Sequence, residues 1–303
     1  MITNFTDRDV PDQAGKTVLV TGANTGIGYQ TALVLARQGA RVLLGCRNRD
    51  KCQAAIDSIR ALHPDADLDP LALDLGDLSS VRQAAATLLD TEPHLDVLVN
   101  NAGVMVPPRT LTTDGFELQL GVNHLGPFAL TGLLLPLLRQ TTGARIVNTS
   151  SNGHRMGEPD FDDLTAEHSY RPLKRYGASK LANLLHTYEL DRRFRAQDIP
   201  IVSAACHPGG TDTDLSRHVS PLLIAVIRPL AGWFLNQPPQ GAWPTLAAAT
   251  HPDVHGGQYF GPGWFELSGP ATQVDSNARS KDPALARRLW DVSAELTGVD
   301  PGV

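Results

Sequence analysis

Lys16-Thr-Val-Leu-Val-Thr-Gly-Ala-Asn-Thr-Gly-Ile-Gly28 holds the decision about the fold. A short β-branched and aliphatic run, KTVLVTG, reads as a strand. It passes through a glycine-rich turn, Thr21-Gly22-Ala23-Asn24-Thr25-Gly26-Ile27-Gly28, into a stretch with apolar residues at helical spacing that runs from Ile27 to Gln38 and stops at Gly39. Strand, glycine turn and helix in that order place unpaired backbone N–H groups and a positive helix end where a pyrophosphate can bind. Glycine there allows a positive φ and close backbone approach. The spacing is G-x-x-x-G-x-G rather than the generic G-x-G-x-x-G. Gly22, Asn24, Thr25, Gly26, Ile27 and Gly28 are therefore the first candidate cofactor residues.

Outward from that turn, aliphatic runs alternate with amphipathic segments. RVLLG is a second strand, Asp50 to Leu62 a second helix, and Leu68 to Leu73 a third strand. Asp77-Leu-Ser-Ser opens another helix; LDVLVN, ARIVNTS and IPIVSAAC supply three more strands, and GQYFG a seventh. The pattern predicts one α/β domain: a Rossmann-type, doubly wound parallel sheet of about seven strands with helices on both faces. At 303 residues and 42% hydrophobic, the chain can bury such a core as a single unit. Residues 1–15 read as an arm and 283–303 as a terminal helix and tail.

Composition excludes several function classes. A net charge of −6 with no Lys/Arg run argues against nucleic acid as a partner. Three scattered cysteines fit neither a disulfide framework nor a zinc cage, and the ten histidines show no ligand spacing, so no metal site is expected. The polar, acid-containing start is not a secretory signal. The apolar stretch Pro221 to Leu235 is interrupted by Arg228 and Pro229 and is shorter than the ~20 residues of a membrane span. A cytoplasmic protein without a transmembrane segment is the expectation.

About twenty residues past the glycine turn, an NAD-binding domain places an acid on the adenosine ribose. This chain has Gly45-Cys46-Arg47. No carboxylate is there to repel a 2′-phosphate, and a guanidinium can pair with one, so NADP(H) is the expected cofactor. Asp74 and Leu75, past the third strand, are placed to contact adenine, although Asp74 can equally cap the next turn.

Tyr176-Gly-Ala-Ser-Lys180 begins a helical stretch, and its i, i+4 spacing puts phenol and ammonium on one face. A nearby cation favours the phenolate and brings a tyrosine toward the working range of general acid–base chemistry on a carbonyl. Asn100-Asn101-Ala102-Gly103 follows the fourth strand, Asn123-His-Leu-Gly lies on the next helix, and Thr149-Ser-Ser151 ends the fifth strand. In a doubly wound sheet the carboxyl ends of strands line one crevice, so Gly22, Asn101, Ser151 and the post-strand Pro208-Gly209 converge.

With these four ordered motifs the sequence resembles the short-chain dehydrogenase/reductase family from about Lys16 to Gly261. The resemblance implies Tyr176 as proton donor or acceptor, Lys180 as its activator and a ribose ligand, and Ser151 as the hydroxyl that polarises the carbonyl; Ser150 stays open beside it. It implies a role for Asn123 in a water-linked proton path behind Lys180, and a cofactor site that includes Asn101, Ala102, Gly103, Pro208, Gly209 and Thr213. Ala-Asn-Thr-Gly-Ile-Gly, Gly-Cys-Arg-Asn, Ser-Lys-Leu-Ala-Asn-Leu-Leu and Gly257-Gln-Tyr-Phe-Gly-Pro262 are similar to the retinol dehydrogenase and WW-domain oxidoreductase branch. Two departures from that branch are expected, no membrane anchor and no WW domain before the reductase portion.

That branch shares the wide separation of Ser151 and Tyr176. The insertion precedes the helix through which many relatives dimerise, so a monomer or homodimer is expected rather than a tetramer. The resemblance also makes residues 214–240 a substrate lid, and its aliphatic and aromatic content favours a bulky apolar aldehyde, ketone or alcohol. Packing against the sheet or another subunit, or shallow membrane contact through Trp233 and Phe234, are the other readings of that segment. A cofactor sensor without turnover and a nucleotide-sugar epimerase are the alternative functions. A serine hydrolase is disfavoured, since Thr149-Ser-Ser-Asn-Gly153 lacks the first glycine of a nucleophile elbow. His154 reads as a loop residue and His207 as structural.

Overall fold

A computed structural model describes residues 1–210 and 236–303. Eight strands form one sheet in the order β3-β2-β1-β4-β5-β6-β7-β8. They are β1 (Thr17–Thr21), β2 (Arg41–Cys46), β3 (Leu68–Ala72), β4 (Val97–Asn100), β5 (Arg145–Thr149), β6 (Val202–Cys206), β7 (Tyr259–Trp264) and β8 (Ser268–Val274). The first seven are parallel, and β8 returns antiparallel on β7. The seven expected strands are present; β8 is the one the sequence did not offer. Its glycine- and proline-containing SGPATQV lacks a β-branched run, and pairing to β7 makes the strand.

Alternation along the central strands builds two cores. Val18 and Val20 face the side covered by α1 (Gly26–Arg37) and α2 (Arg49–Leu62), where they pack with Leu35, Ile56 and Ile59. Leu19, Leu98 and Ile146 face α3 (Leu78–Thr91), with Val81 and Leu88, and the long helical stretch that follows. That stretch, Leu118–Leu138, comprises α4 (Leu118–Leu120), a π-helical turn (Gly121–Leu125) and α5 (Gly126–Leu138). By length and apolarity it could cross a membrane; 78% of its most apolar 18-residue window is buried inside the fold, as expected of a core helix.

Next come α6 (Pro172–Ala196), a short turn α7 (Pro238–Gly241), α8 (Trp243–Thr250) and α9 (Pro283–Thr297). The arm predicted for residues 1–15 is pinned at Phe5, which exchanges backbone hydrogen bonds with Ala271 of β8 at 3.0 and 2.8 Å and so covers part of that edge. β3, the other edge, accommodates Pro70 because an edge strand has one side without ladder partners. The strand order reverses between β1 and β4, and the carboxyl ends there open the crevice that positions the site. Most of the segment predicted as a lid lies outside the described residues.

Candidate active site

The crevice floor is backbone. Gly22 turns the chain at φ +68°, its N–H donating to the Gly45 carbonyl at 2.7 Å. A Cβ at Gly28 would stand 2.4 Å from the Gly22 carbonyl oxygen and 2.5 Å from Asn101 Nδ2, so the first turn of α1 lies directly against the loop. No acid occupies that turn, which leaves the helix N-terminus positive. Asn101 fastens the neighbouring strand: its N–H donates to Thr21 Oγ1 at 3.0 Å and its Nδ2 to the Thr21 carbonyl at 2.9 Å. The result is a cavity of about 540 Å³, lined by Gly22, Asn24, Thr25, Gly26, Ile27 and Gly28, with Arg47, Asp74, Leu75, Asn101, Ala102 and Gly103. Backbone donors, a helix N-terminus and close-packed glycines suit a dinucleotide pyrophosphate.

At the far end Arg47 is 76% exposed, its Nε 4.0 Å from Asp74 Oδ2. Asp74 caps the next turn, its Oδ1 accepting from the Gly76 N–H at 2.9 Å, and it also lines the cavity. Asn48 and Lys51 also line this end and were missed in the sequence. The signal was there in Arg-Asn-Arg-Asp-Lys: Asn48 is the N-cap of α2, its Oδ1 accepting from the Lys51 N–H at 2.8 Å.

The opposite wall is side chain. Thr149 pairs with Cys206 across β5 and β6, so Ser151 and Pro208 leave adjacent strands side by side. Ser151 caps a 3-10 turn (Asn152–Met156), its Oγ accepting from the Gly153 N–H at 3.1 Å, and its hydroxyl is near enough to the Tyr176 phenol to act on it electrostatically. A Cβ at Gly153 would lie 3.2 Å from the Tyr176 ring, so glycine leaves room for that ring. Ser150 points elsewhere, donating from Oγ to the Lys180 carbonyl at 2.8 Å. Of the two hydroxyls, Ser151 faces the tyrosine.

Lys180 is 3% exposed; its Nζ donates to the Thr149 carbonyl at 3.0 Å and stands 5.8 Å from the Tyr176 ring centre. Burial brings its ammonium down to about 8. Burial also pushes Tyr176 up, with the nearby Ser151 hydroxyl pulling the other way. This is opposite to the sense expected from a neighbouring cation, because desolvation of the phenol dominates. The tyrosine thus holds its proton at neutral pH.

Asn123 sits in the π-helical turn. Its Oδ1 accepts from the Val104 N–H at 2.7 Å, and its Nδ2 donates to the Val104 carbonyl and to Ser179 Oγ, both at 2.9 Å. The side chain braces the β4 loop against α6. Pro127 has no N–H to give the Asn123 carbonyl, the acceptor it would meet in an unbroken α-helix. Gly209 turns at φ +75°, its N–H donating to His207 Nδ1 at 3.2 Å. Thr213 lies outside the described residues.

The short chain dehydrogenase profile matches residues 16–222. The chain belongs to this family. It is 43% identical over 299 residues to retinol dehydrogenase 14 of Mus musculus, covering 94% of this chain and 86% of that protein. With human retinol dehydrogenase 13 the identity is 42% over 293 residues, with the same coverage. A crystal structure of an uncharacterised protein from Mycobacterium paratuberculosis is similar at TM-score 0.83 and 40% identity, covering 98% of this chain and 99% of that one. A short chain dehydrogenase from Burkholderia cenocepacia, solved in complex with NADP, is similar at TM-score 0.64 and 25% identity, covering 82% and 96%. The protein is an oxidoreductase of the short-chain dehydrogenase family, similar to its retinol dehydrogenases.

Within this short-chain dehydrogenase, His154 lies on the 3-10 turn of the segment between β5 and α6, in keeping with its sequence position. It is buried, and its Nδ1 donates to the Ser151 carbonyl at 2.7 Å. The carbonyl can only accept, which fixes the proton on Nδ1. His207 is buried as expected of a structural residue, and it faces Glu266, which nothing in the sequence pattern singled out.

Proposed function

We propose that this protein is a cytoplasmic NADP(H)-dependent carbonyl reductase, acting on a bulky apolar aldehyde or ketone. The observation that carries the reading is the meeting of Ser151, Tyr176 and Lys180 beside the crevice. The residues from Gly22 to Gly28 and from Asn101 to Gly103 would hold the dinucleotide, which when bound would supply the hydride. Ser151 holds the substrate oxygen. Tyr176, kept protonated by burial, delivers the proton, which favours reduction over oxidation. The Lys180 ammonium offsets the negative charge left on the phenolate when the proton leaves, and the braced Asn123 keeps the lysine's surroundings fixed. Arg47 and Lys51 flank the end where a 2′-phosphate would sit, and a cation pair there favours NADP(H) over NAD(H).

The apolar preference is supported by composition between Pro221 and Leu235 and by exposed Met156, Trp264 and Leu267 on segments adjoining the Ser151 turn. A monomer or homodimer fits α9 packing along α6. The test is NADPH oxidation by the purified protein across a homologous series of straight-chain aldehydes. Efficiency should rise about fourfold per methylene, the equivalent of ~0.8 kcal/mol of buried CH₂. A flat or falling series overturns the apolar assignment. Bound NADPH with no turnover on any carbonyl returns the protein to the sensor reading.

A further inference from the structure

The β7–β8 hairpin turns through Phe265 and Glu266, at φ +53° and +58°. L side chains rarely adopt that left-handed backbone, and glycine or asparagine is the usual occupant of such a turn. Here one position carries a phenylalanine 94% exposed and the other a glutamate. Conformations of this kind persist where the surroundings hold them.

What holds Glu266 comes from two turns of the site. Its carboxylate receives Arg155 Nη2 at 2.9 and 3.1 Å, and Arg155 lies in the 3-10 turn capped by Ser151. Its main-chain carbonyl accepts from Nδ2 of Asn152, the residue directly after Ser151, at 2.9 Å. Its Oε2 faces Nε2 of buried His207 at 3.5 Å, an approach outside hydrogen-bond geometry, and His207 precedes Pro208 and Gly209. Because His207 Nδ1 accepts from the Gly209 N–H, the ring proton of the neutral imidazole is on Nε2, toward the carboxylate. The next residue completes the grip: the Leu267 carbonyl accepts from the Gly210 N–H at 3.0 Å. A single hairpin tip is thus tied to the turn after β5 and to the turn after β6.

We propose that Glu266 is a positioning residue, which fixes Ser151 relative to the Pro208–Gly210 turn through Arg155 and Asn152 on one side and His207 on the other. The inference rests on the reading of Ser151 as the hydroxyl that holds the substrate oxygen. Glu266 binds neither substrate nor cofactor; it sets where Ser151 stands when the carbonyl arrives. The fold does not need a carboxylate for the turn itself, since glycine suits the same backbone better.

That last point separates position from stability. In Glu266→Gly the turn keeps its backbone and loses its carboxylate. Thermal midpoint should hold or rise, while kcat for aldehyde reduction with NADPH falls about tenfold and the aldehyde KM stays within about threefold. Arg155→Ala should reproduce the loss, and the double variant should be no slower than either single one. Tyr176→Phe, run in the same assay, reports on the underlying reading. A Glu266→Gly enzyme at the wild-type rate overturns the proposal, as does one that loses midpoint and kcat together. Losses that multiply in the double variant also overturn it. If Tyr176→Phe keeps the wild-type rate, the site reading fails and takes this proposal with it.

Discussion

On the β1–β4 side of the crevice the chain presents main chain: glycine turns, a bare helix N-terminus and Asn101 stitching Thr21 to the next strand. On the β5–β6 side it presents side chains from distant segments, with a buried ammonium, a buried phenol and two buried imidazoles around Ser151 and Pro208. The first wall binds through groups every residue has, and its specificity lies in where a Cβ is missing. Under the proposed function the second moves a proton, which backbone cannot do; it buries titratable groups at a desolvation cost. Substitutions on the two walls should therefore fail in different ways.

The largest effect belongs to the side-chain wall. Tyr176→Phe keeps the ring that packs against Gly153 and removes only the hydroxyl. Carbonyl reduction should fall by about 10² to 10⁴-fold, with cofactor binding and thermal midpoint close to wild type. Steady-state rates beside NADPH fluorescence titration check both halves. A variant that turns over normally would remove the chemical distinction between the walls.

A smaller effect is expected at the backbone wall, because only its outer end carries charge. Arg47→Asp should lower the ratio of NADPH to NADH efficiency by about 100-fold, since a charge-assisted hydrogen bond is worth ~1.5–3 kcal/mol and the new carboxylate repels a phosphate. Lys51 remains at that end to retain part of the binding. Parallel kcat/KM measurements with the two cofactors give the ratio. An unchanged ratio would mean that Arg47, exposed as it is, takes no part.

The same contrast explains what could be read from sequence. The backbone wall was legible because its determinants are local: Thr21 to Gly28 is a single turn, and Asn101 to Gly103 follows its strand directly. Tyr176 and Lys180 were legible for the same reason, one helical turn apart. Ser151 was favoured over Ser150 by the family resemblance alone, and in three dimensions Ser150 is turned away to the Lys180 carbonyl. Glu266 and the hydrogen bond of His154 were not legible. Glu266 meets Arg155 across 111 positions of sequence, and His154 gains its role from a carbonyl three residues back once the 3-10 turn forms. The sense of the Tyr176 shift was misjudged because spacing reports a neighbour but not burial. An antiparallel β8 was missed because its pairing with β7, not its composition, defines it.

The smallest effect tests the cost of the side-chain wall directly. Lys180 is brought to about 8 by burial, against an ordinary value of 10.5. In the unfolded chain the amine keeps its proton up to about 10.5, so between roughly 8 and 10.5 the unfolded state binds more protons and stability rises with pH. Below about 8 both states carry the proton, and the full cost of burying an ammonium is present. At 1.36 kcal/mol per unit that cost is about 3 kcal/mol at most. Lys180→Met removes it along with one hydrogen bond to the Thr149 carbonyl, a loss of about 1 kcal/mol. Asn183 Nδ2 still satisfies that carbonyl at 2.9 Å, so no orphan acceptor is created. The methionine variant should be inactive, yet more stable than wild type by about 2 kcal/mol at pH 7. The gain should shrink through the window and vanish by about pH 10, because the wild-type lysine is then neutral when folded. Denaturant titrations of both proteins at pH 7 and pH 10 measure the difference. A gain that does not change with pH would show that the Lys180 ammonium is solvated, and that the two walls do not differ in the charge they bury.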